Sequence, residues 1–403
     1  MNAKVSMTAK YMEFCGVLAL GAGLCAAGPG TALAQSELVL GFLTSDSGPF
    51  VSLARTNEVA ARIALDEINA AGGVNGKKLR YIAFDTAGNP GQTVVGLRKL
   101  AEDDKVLGII GPLSSGQVSV AGPAGDRAGV VTMSMASSAP KLVANFKYAM
   151  RNTSDEAYMF ERLMSTLKSK GIASATGAIA YANDDIISRT LGEKVLPALM
   201  KKAGVDVKLS VDFKFGAFDF SAQVAQLKAN PTDLIGVGSP QEAAVKLVQE
   251  MRRQGHKGRM VGGTTINDPE LPMRMGKDGD GTVISSTFFA DLNDRTKKFA
   301  AEFTKRAKAA NLERLQASQF DAATYGIVQY YAWAMKEANV TGDPKRLAEE
   351  RTAIRMALGR MKGFPAVEGA ISFGADNDAL KPIYIIEARD GKWTLLGTHA
   401  APN

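Results

Sequence analysis

The feature that most constrains the fold is a regular alternation of short apolar runs with helical patterns. The first apolar runs of the sequence are Leu38–Phe42, Leu79–Phe84, Leu107–Ile110 and Val130–Met133. Between them, apolar residues recur at helical spacing, as in the segment Ala60–Ile68. Short buried strands that alternate with helices form parallel sheets covered on both faces. The sequence therefore predicts an α/β protein.

The same alternation restarts after Arg151, which indicates a second sheet. Its predicted strands are Ala178–Ala182, Val205–Val211, Leu234–Val237 and Met260–Val261. A third block has helical patterns followed by two strands, at 297–309, 317–337, 345–361, Val367–Phe373 and Pro382–Ala388. No low-complexity linker separates the blocks, so we expect two doubly wound, Rossmann-like lobes joined by crossings of the chain. In such sheets, ligands bind beyond the carboxyl ends of the strands.

The first 34 residues have the pattern of a secretory signal peptide. Lys4 and Lys10 give a positive start, and the segment 14–34 carries no charge. It ends in Ala32-Leu33-Ala34, a small-x-small sequence typical of signal peptidase sites. We expect residues 1–34 to be removed on export, which leaves a chain long enough for two domains.

Two other interpretations of this segment are weaker. Several glycines and Pro29 make it a poor membrane anchor, and the bulky Leu24 argues against lipid attachment at Cys25. Cys15 and Cys25 are the only cysteines of the sequence. The chain after residue 34 therefore has no thiol for a disulfide, a nucleophile or a metal site.

The charge of the chain does not indicate nucleic-acid binding. After residue 34 there are 46 Lys and Arg and 40 Asp and Glu, a formal net charge of +6, and these charges are dispersed. The densest basic group contains Arg252, Arg253, Lys257 and Arg259. It lacks interleaved aromatic residues and lies at a predicted helix end, where cations are favourable in any case.

Small and polar residues fill the loops that follow the predicted strands. These segments, with one that follows the first helix and one inside the last predicted strand, are Thr44–Phe50, Gly72–Lys77, Gly111–Gly116, Ser134–Pro140, Asp219–Ser221 and Ile383-Tyr384. Taken in this order, they resemble the leucine/isoleucine/valine-binding protein family of periplasmic receptors. The resemblance extends over nearly the whole chain after residue 34.

The resemblance implies a type I periplasmic-binding fold, with two lobes joined by three crossovers. Lobe 1 would contain residues 35–154 and 288–379, and lobe 2 would contain residues 155–287 and 380–403. It also implies a periplasmic receptor that delivers a small ligand to the membrane permease of an ABC transporter. A receptor that reports its ligand to a membrane signalling protein is the alternative, and the sequence does not separate the two.

In that family, one lobe holds the ligand carboxylate through loops after its third and fourth strands. The corresponding residues here are Ser115, Ala136 and Ser138, and we add their neighbours Ser114 and Ser137. Hydroxyl groups and free amides at helix N-termini can bind an anion without a full cation. Helix capping is the alternative role for Ser115 and Ser138.

The sequence departs from the family where an acidic residue should meet the ligand ammonium. Thr264 stands at that position and cannot pair with an ammonium as a carboxylate does. Asp184 or Asp185 could supply the charge, although acids at such turns more often act as caps, and Asp268 is expected to cap the segment 269–275. We therefore expect a carboxylate ligand, an organic or aromatic acid without an α-ammonium or a hydrophobic amino acid.

Three further residues are candidate ligand contacts. Phe50 and Leu53 would line the apolar side of the ligand, with packing in the lobe core as the alternative. Ser239 follows a predicted strand and can also cap the helix that starts at Pro240, with Glu242 completing a capping box.

The sequence offers little for catalysis. His256 and His399 are the only histidines, and their positions give no metal-ligand spacing. The segment Asp278–Gly281 lacks most ligands of a calcium loop, and Gly72–Lys77 lacks the spacing of a phosphate loop. We therefore predict no catalytic residue, no metal and no cofactor.

Overall fold

The computed structural model describes residues 37–239 and 241–402, without the side chains of residues 52, 53, 186 and 187. The signal peptide predicted for residues 1–34 and the helix start predicted at Pro240 lie outside this part. None of the described helices combines the length and the apolar character that a membrane span requires.

Among the described residues, strands and α-helices alternate strictly from β1 to β4 and less regularly after that. The strands are β1 (Leu38–Thr44), β2 (Leu79–Asp85), β3 (Ile109–Ile110), β4 (Thr132–Ser134), β5 (Ala149–Arg151), β6 (Thr176–Ala182), β7 (Asp206–Phe213), β8 (Leu234–Gly238), β9 (Arg259–Gly262), β10 (Val283–Ser286), β11 (Phe364–Ala366), β12 (Gly369–Phe373), β13 (Ala379–Leu380), β14 (Ile383–Arg389) and β15 (Lys392–His399). The helices are α1 (Val51–Ala70), α2 (Pro90–Arg98), α3 (Ser115–Ala128), α4 (Glu156–Ser169), α5 (Ile186–Thr190), α6 (Leu196–Lys202), α7 (Ser221–Ala229), α8 (Gln241–Arg253), α9 (Leu271–Met275), α10 (Asp294–Ala309), α11 (Gln319–Glu337) and α12 (Leu347–Arg360).

The first sheet has five strands in the order β2-β1-β3-β4-β5, and all neighbouring pairs are parallel. Side chains alternate across its strands. Leu40 and Phe42 of β1 pack in a cluster with residues of α1 and α11, whereas Leu43 packs with residues of α2 and α3. Because both faces are covered, the strand has no polar side chain before its last residue, Thr44.

The second sheet has seven strands in the order β15-β14-β10-β9-β8-β6-β7. Strands β6 to β10 pair in parallel, and β14 and β15 add antiparallel pairs at one edge. Ile179 of β6 packs with α4 and α6, whereas Ala178 and Ala180 pack with α7 and α8. This sheet therefore has the same layered construction as the first.

The chain crosses between the two sheets three times. It leaves the first sheet after β5, returns after β10 into α10–α12, and leaves again between β13 and β14. The small antiparallel sheet β11-β12-β13 contributes Ala366, Ile371 and Phe373 to the core that contains α1 and α11. The predicted α/β fold of two doubly wound lobes with three crossovers is confirmed.

Candidate ligand-binding site

Two loops from different sheets meet at the carboxyl ends of their strands. Ser138 lies in the loop after β4 of the first sheet, and Thr264 lies in the loop after β9 of the second. Their hydroxyl oxygens are 3.2 Å apart, and both residues are half-buried. The structure thus brings together two residues that the sequence placed in opposite lobes.

The carboxylate of Glu156 lies in the same cluster and was not predicted from the sequence. Its Oε1 accepts a hydrogen bond from the Thr264 N–H (3.1 Å), and its Oε2 accepts one from the Thr264 hydroxyl (2.8 Å). The Glu156 N–H donates to the Ser138 carbonyl at 3.0 Å. Glu156 is buried, and this burial raises the pKa of its carboxyl group.

Glu156 reaches this position because it is the first residue of α4. Asp155 precedes it as the N-cap, and the Asp155 carboxylate accepts from the N–H groups of Ala157 (2.8 Å) and Tyr158 (3.4 Å). In the sequence, Glu156 therefore resembles an ordinary acidic residue in the first turn of a helix, where the helix dipole favours it. Only the tertiary structure shows that its side chain meets the loops after β4 and β9.

The loop after β3 places Ser114 and Ser115 at the start of α3. Ser114 is the N-cap, with a capping box in which its Oγ accepts from the Gln117 N–H (3.3 Å) and its own N–H donates to Gln117 Oε1 (3.2 Å). Ser115 is half-buried, and its Oγ accepts from the Ala139 N–H at 3.4 Å. Ser115 therefore connects the loops after β3 and β4, where the carboxylate site is predicted.

Gln117 connects these loops to neighbouring loops through hydrogen bonds. Its fully buried Nε2 donates to Thr86 Oγ1 (2.8 Å) and to Thr93 Oγ1 (2.9 Å). Thr86 Oγ1 in turn lies 3.3 Å from Ser45 Oγ. Loops after β1, β2 and β3 are thereby held in one network, which the sequence did not reveal because a glutamine inside a helix is usually solvated.

The loop after β4 turns around the Ser134 hydroxyl. Ser134 Oγ accepts from the Ser137 N–H at 3.3 Å and lies 3.5 Å from the Ala136 N–H, the limit for a hydrogen bond. Ala136 is half-buried. The hydroxyl of Ser137 is buried and has no hydrogen-bond partner among the described residues. The predicted ligand roles of Ala136 and Ser137 remain predictions.

Among the other predicted contacts, Phe50 and Asp185 interact with residues close to them. Phe50 is half-buried, packs against the core and lies so close to Gly88 that a Cβ there would be 2.8 Å from its ring. Asp185 Oδ2 accepts from the Ser188 N–H at 2.7 Å, as expected of a cap for α5. Ser239 is buried after β8. The Leu53 side chain lies outside the described part of the structure.

Asp268, which was expected to cap the segment 269–275, lies two residues before the N-cap of the helix that forms there. Asp268 is buried, and its Oδ1 accepts from the Glu270 N–H at 2.7 Å. Helix α9 begins only at Leu271, with Glu270 in the N-cap position. Pro272, the second residue of the helix, fits this later start because proline is tolerated in the first turn.

The buried ion pair of Lys381 and Glu368 connects the three chain crossings. Lys381 Nζ donates to Glu368 Oε1 (2.6 Å) and to the Asn152 carbonyl (2.7 Å), and neither charged side chain is exposed to solvent. Glu368 also accepts from Asn152 Nδ2 (3.0 Å) and from Thr287 Oγ1 (3.2 Å). Asn152, Thr287 and Lys381 each lie in a different crossing, so Glu368 is their common partner.

The two histidines lie away from this cluster. His256 lines a cavity of about 540 Å³ at the amino ends of β8 and β9, and its Nδ1 accepts from the Gly258 N–H at 3.0 Å. Burial lowers the pKa of its imidazole. His399 ends β15 and lies 2.8 Å from Thr166 Oγ1 through its Nε2.

Comparison with known proteins decides the family of the chain. The model of the periplasmic binding protein family matches residues 37–392. This chain belongs to that family. It is 25% identical to an amino acid binding protein of Pseudomonas aeruginosa over 325 residues, which are 78% of this chain and 82% of that protein. It is also 24% identical to the Leu/Ile/Val-binding protein BraC3 of Rhizobium johnstonii over 354 residues, 86% of this chain and 90% of the relative. The resemblance inferred from the loop sequences is confirmed.

Solved structures of the same fold hold two kinds of ligand. The branched-chain amino acid transporter substrate-binding protein LivJ of Streptococcus pneumoniae, in complex with isoleucine, matches with a TM-score of 0.75 at 22% identity and covers 91% of this chain and 100% of its own. A solute-binding protein of an ABC transporter from Rhodopseudomonas palustris, in complex with 3,4-dihydroxybenzoic acid, matches with a TM-score of 0.74 at 18% identity, with coverages of 91% and 98%. At these identities the likeness establishes the fold.

Proposed function

We propose that this chain captures a small carboxylate-bearing ligand between its two lobes and passes it to the membrane permease of an ABC transporter. The observation that carries the proposal is the meeting of Ser138 and Thr264 at 3.2 Å, because each comes from a loop at the carboxyl edge of a different sheet. Ligands of doubly wound sheets bind at that edge. A ligand held there contacts both halves of the protein.

Contact with both halves explains how a ligand drives closure. A receptor of this kind samples open and closed arrangements, and the ligand stabilises the arrangement in which both lobes touch it. We take the lobes to be residues 35–154 with 288–379 and residues 155–287 with 380–403. The separate hydrophobic cores of the two sheets support this division.

The carboxylate of the ligand would be held in the first lobe. Ser115, at the N-terminus of α3, and the loop from Ala136 to Ser138 offer hydroxyl and amide groups beside one another, since Ser115 Oγ already contacts the Ala139 N–H. An anion at a helix N-terminus is stabilised by unpaired N–H groups and by the helix dipole. The ligand can therefore be bound without a salt bridge and released again.

Binding without turnover completes the proposal. The relatives named above are binding proteins, and the cluster around Glu156 contains no histidine and no cysteine. Export by cleavage after residue 34 would place the receptor in the periplasm, where it meets the permease.

A thermal-shift screen tests the function directly. The purified chain is unfolded in guanidinium chloride, dialysed free of bound small molecules, refolded, and screened against amino acids, aromatic acids and short amides. A ligand that binds only the native state raises the melting temperature. We expect a rise for carboxylate-bearing compounds, with the compound recovered unchanged by mass spectrometry. No rise with any of these compounds, or conversion of one of them, would contradict the proposal.

A further inference from the structure

One carboxylate at the meeting of the two loops has no counter-ion. Glu156 is only 5% exposed, and it forms no ion pair with any Lys, Arg or His of the described residues. Arg151, five residues earlier in the sequence, pairs with another acid, because its Nε and Nη2 donate to the two carboxylate oxygens of Asp378 at 2.6 and 2.7 Å. The negative charge of Glu156 is therefore balanced only by hydrogen bonds from neutral groups.

The Glu156 carboxylate approaches the backbone closely at Gly263, the residue before Thr264. A Cβ at position 263 would lie 1.4 Å from Glu156 Oε1, so only glycine leaves the space that the carboxylate occupies. The φ of Gly263 is −108°, which any residue can adopt. Gly263 is thus needed for the close approach of Glu156, not for an unusual backbone conformation.

No acidic residue stands at position 264 of the sequence, but the carboxylate of Glu156 lies beside Thr264 in the folded protein. Thr264 donates two hydrogen bonds to Glu156, from its N–H and from its hydroxyl, and Ser138 lies within hydrogen-bonding distance of Thr264. The carboxylate therefore lies at the point where the two loops converge on the proposed ligand. Helix α4 supplies the negative charge instead of the loop after β9.

We infer that Glu156 binds a cationic nitrogen of the ligand, so that the ligand is an amino acid and not a simple carboxylic acid. This inference depends on the proposed function, since it names the second charged group of the same ligand. The carboxylate of the ligand contacts the side of Ser115 and Ser138, and its ammonium contacts the side of Glu156. A buried carboxylate without a counter-ion is costly, and the attraction of an ammonium offsets part of that cost.

Matched pairs of ligands isolate the contribution of the ammonium. L-leucine is compared with 4-methylpentanoate and L-phenylalanine with 3-phenylpropanoate, together with the other proteinogenic amino acids and their deaminated acids, by titration calorimetry on the ligand-stripped chain. Hydrogen bonds to charged groups are strong enough for a preference of about 10- to 100-fold. We expect the tightest ligand to be an amino acid that binds better than its deaminated partner by that factor.

Two variants assign the preference to one side chain. Glu156→Gln keeps the size of the side chain and one acceptor oxygen, replaces the other oxygen with an NH2 group, and removes the charge. It should weaken binding of the amino acid about 10- to 100-fold while leaving the deaminated acid nearly unaffected. Glu161→Gln is the control, because Glu161 lies on the same helix, is exposed and pairs with Lys202 at 3.5 Å. It should leave both affinities unchanged.

The results separate this inference from the proposed function. Equal or tighter binding of the deaminated acids by the wild-type chain would overturn the inference and leave the proposed function intact. Equal weakening of both members of a pair by Glu156→Gln would also overturn it, since a purely structural residue acts on both. A chain that binds no member of either series contradicts the proposed function itself.

Discussion

Replacement of Lys381 by methionine tests whether the chain crossings depend on their buried ion pair. Both Lys381 and Glu368 have side chains with 0% exposure, and their charged atoms are 2.6 Å apart. Burial raises the pKa of the Glu368 carboxyl group, and the nearby Lys381 opposes that rise. Lys381→Met leaves Glu368 buried without its cation, and breaking such a pair costs about 3–5 kcal/mol.

Urea denaturation followed by circular dichroism measures the loss. The exposed pair of Lys202 and Glu161 provides the control, because surface pairs contribute about 0–1 kcal/mol and Lys202→Met should lower stability by no more than that. The double variant Glu368→Leu with Lys381→Met removes both charges. It should be less destabilised than Lys381→Met alone, since no unpaired charge remains. The reasoning is wrong if Lys381→Met is no more destabilising than Lys202→Met.

Three further predictions concern the site itself. Ser115→Ala combined with Ser138→Ala should weaken binding of a carboxylate ligand about 10- to 100-fold by calorimetry, and an unchanged affinity would exclude both hydroxyls from the site. Burial raises the pKa of Glu156 above its ordinary 4.5, so the stability that its proton contributes is complete below pH 4.5 and is lost as pH rises through the folded-state pKa. Wild-type stability without ligand should therefore fall relative to Glu156→Gln as pH rises, and parallel urea midpoints would contradict this. Gly263→Ala places a Cβ 1.4 Å from Glu156 Oε1 and should destabilise the wild-type chain, but not the Glu156→Ala variant, and equal losses in both backgrounds would refute the steric argument.

The parts of the fold that follow from the sequence are those in which burial is matched by an apolar run. Strands β1, β6 and β8 are largely apolar because helices cover both of their faces, and the sequence indicates them directly. Strand β2 was also predicted, although it lies at the edge of the sheet and only its first residue is buried. Strands β5 and β10 were not predicted because their buried residues include polar ones. Arg151 in β5 is buried through its bonds to Asp378, and Ser285 and Ser286 make up half of β10.

The sequence predicted only those residues of the candidate site that directly follow a strand. Ser138 and Thr264 follow β4 and β9, so the order of elements was enough to place them together. Glu156 starts a helix, and its approach to Thr264 depends on the path of a chain crossing and on the space left at Gly263. A glycine followed by a threonine carries no sequence signal of a carboxylate that arrives from a residue more than one hundred positions earlier.

The central claim, that two lobes close on a ligand, is tested most directly by measuring a distance between them. Nitroxide labels are attached at Gln92→Cys in α2 and Ala222→Cys in α7, both exposed and both near the N-terminal ends of helices that follow strands. The pair Gln92→Cys with Lys297→Cys, in which both positions belong to lobe 1, is the control. Pulsed electron paramagnetic resonance should show the interlobe distance shortening when the tightest amino acid is added, with the control distance constant. An interlobe distance that does not change on saturation with ligand would contradict the account.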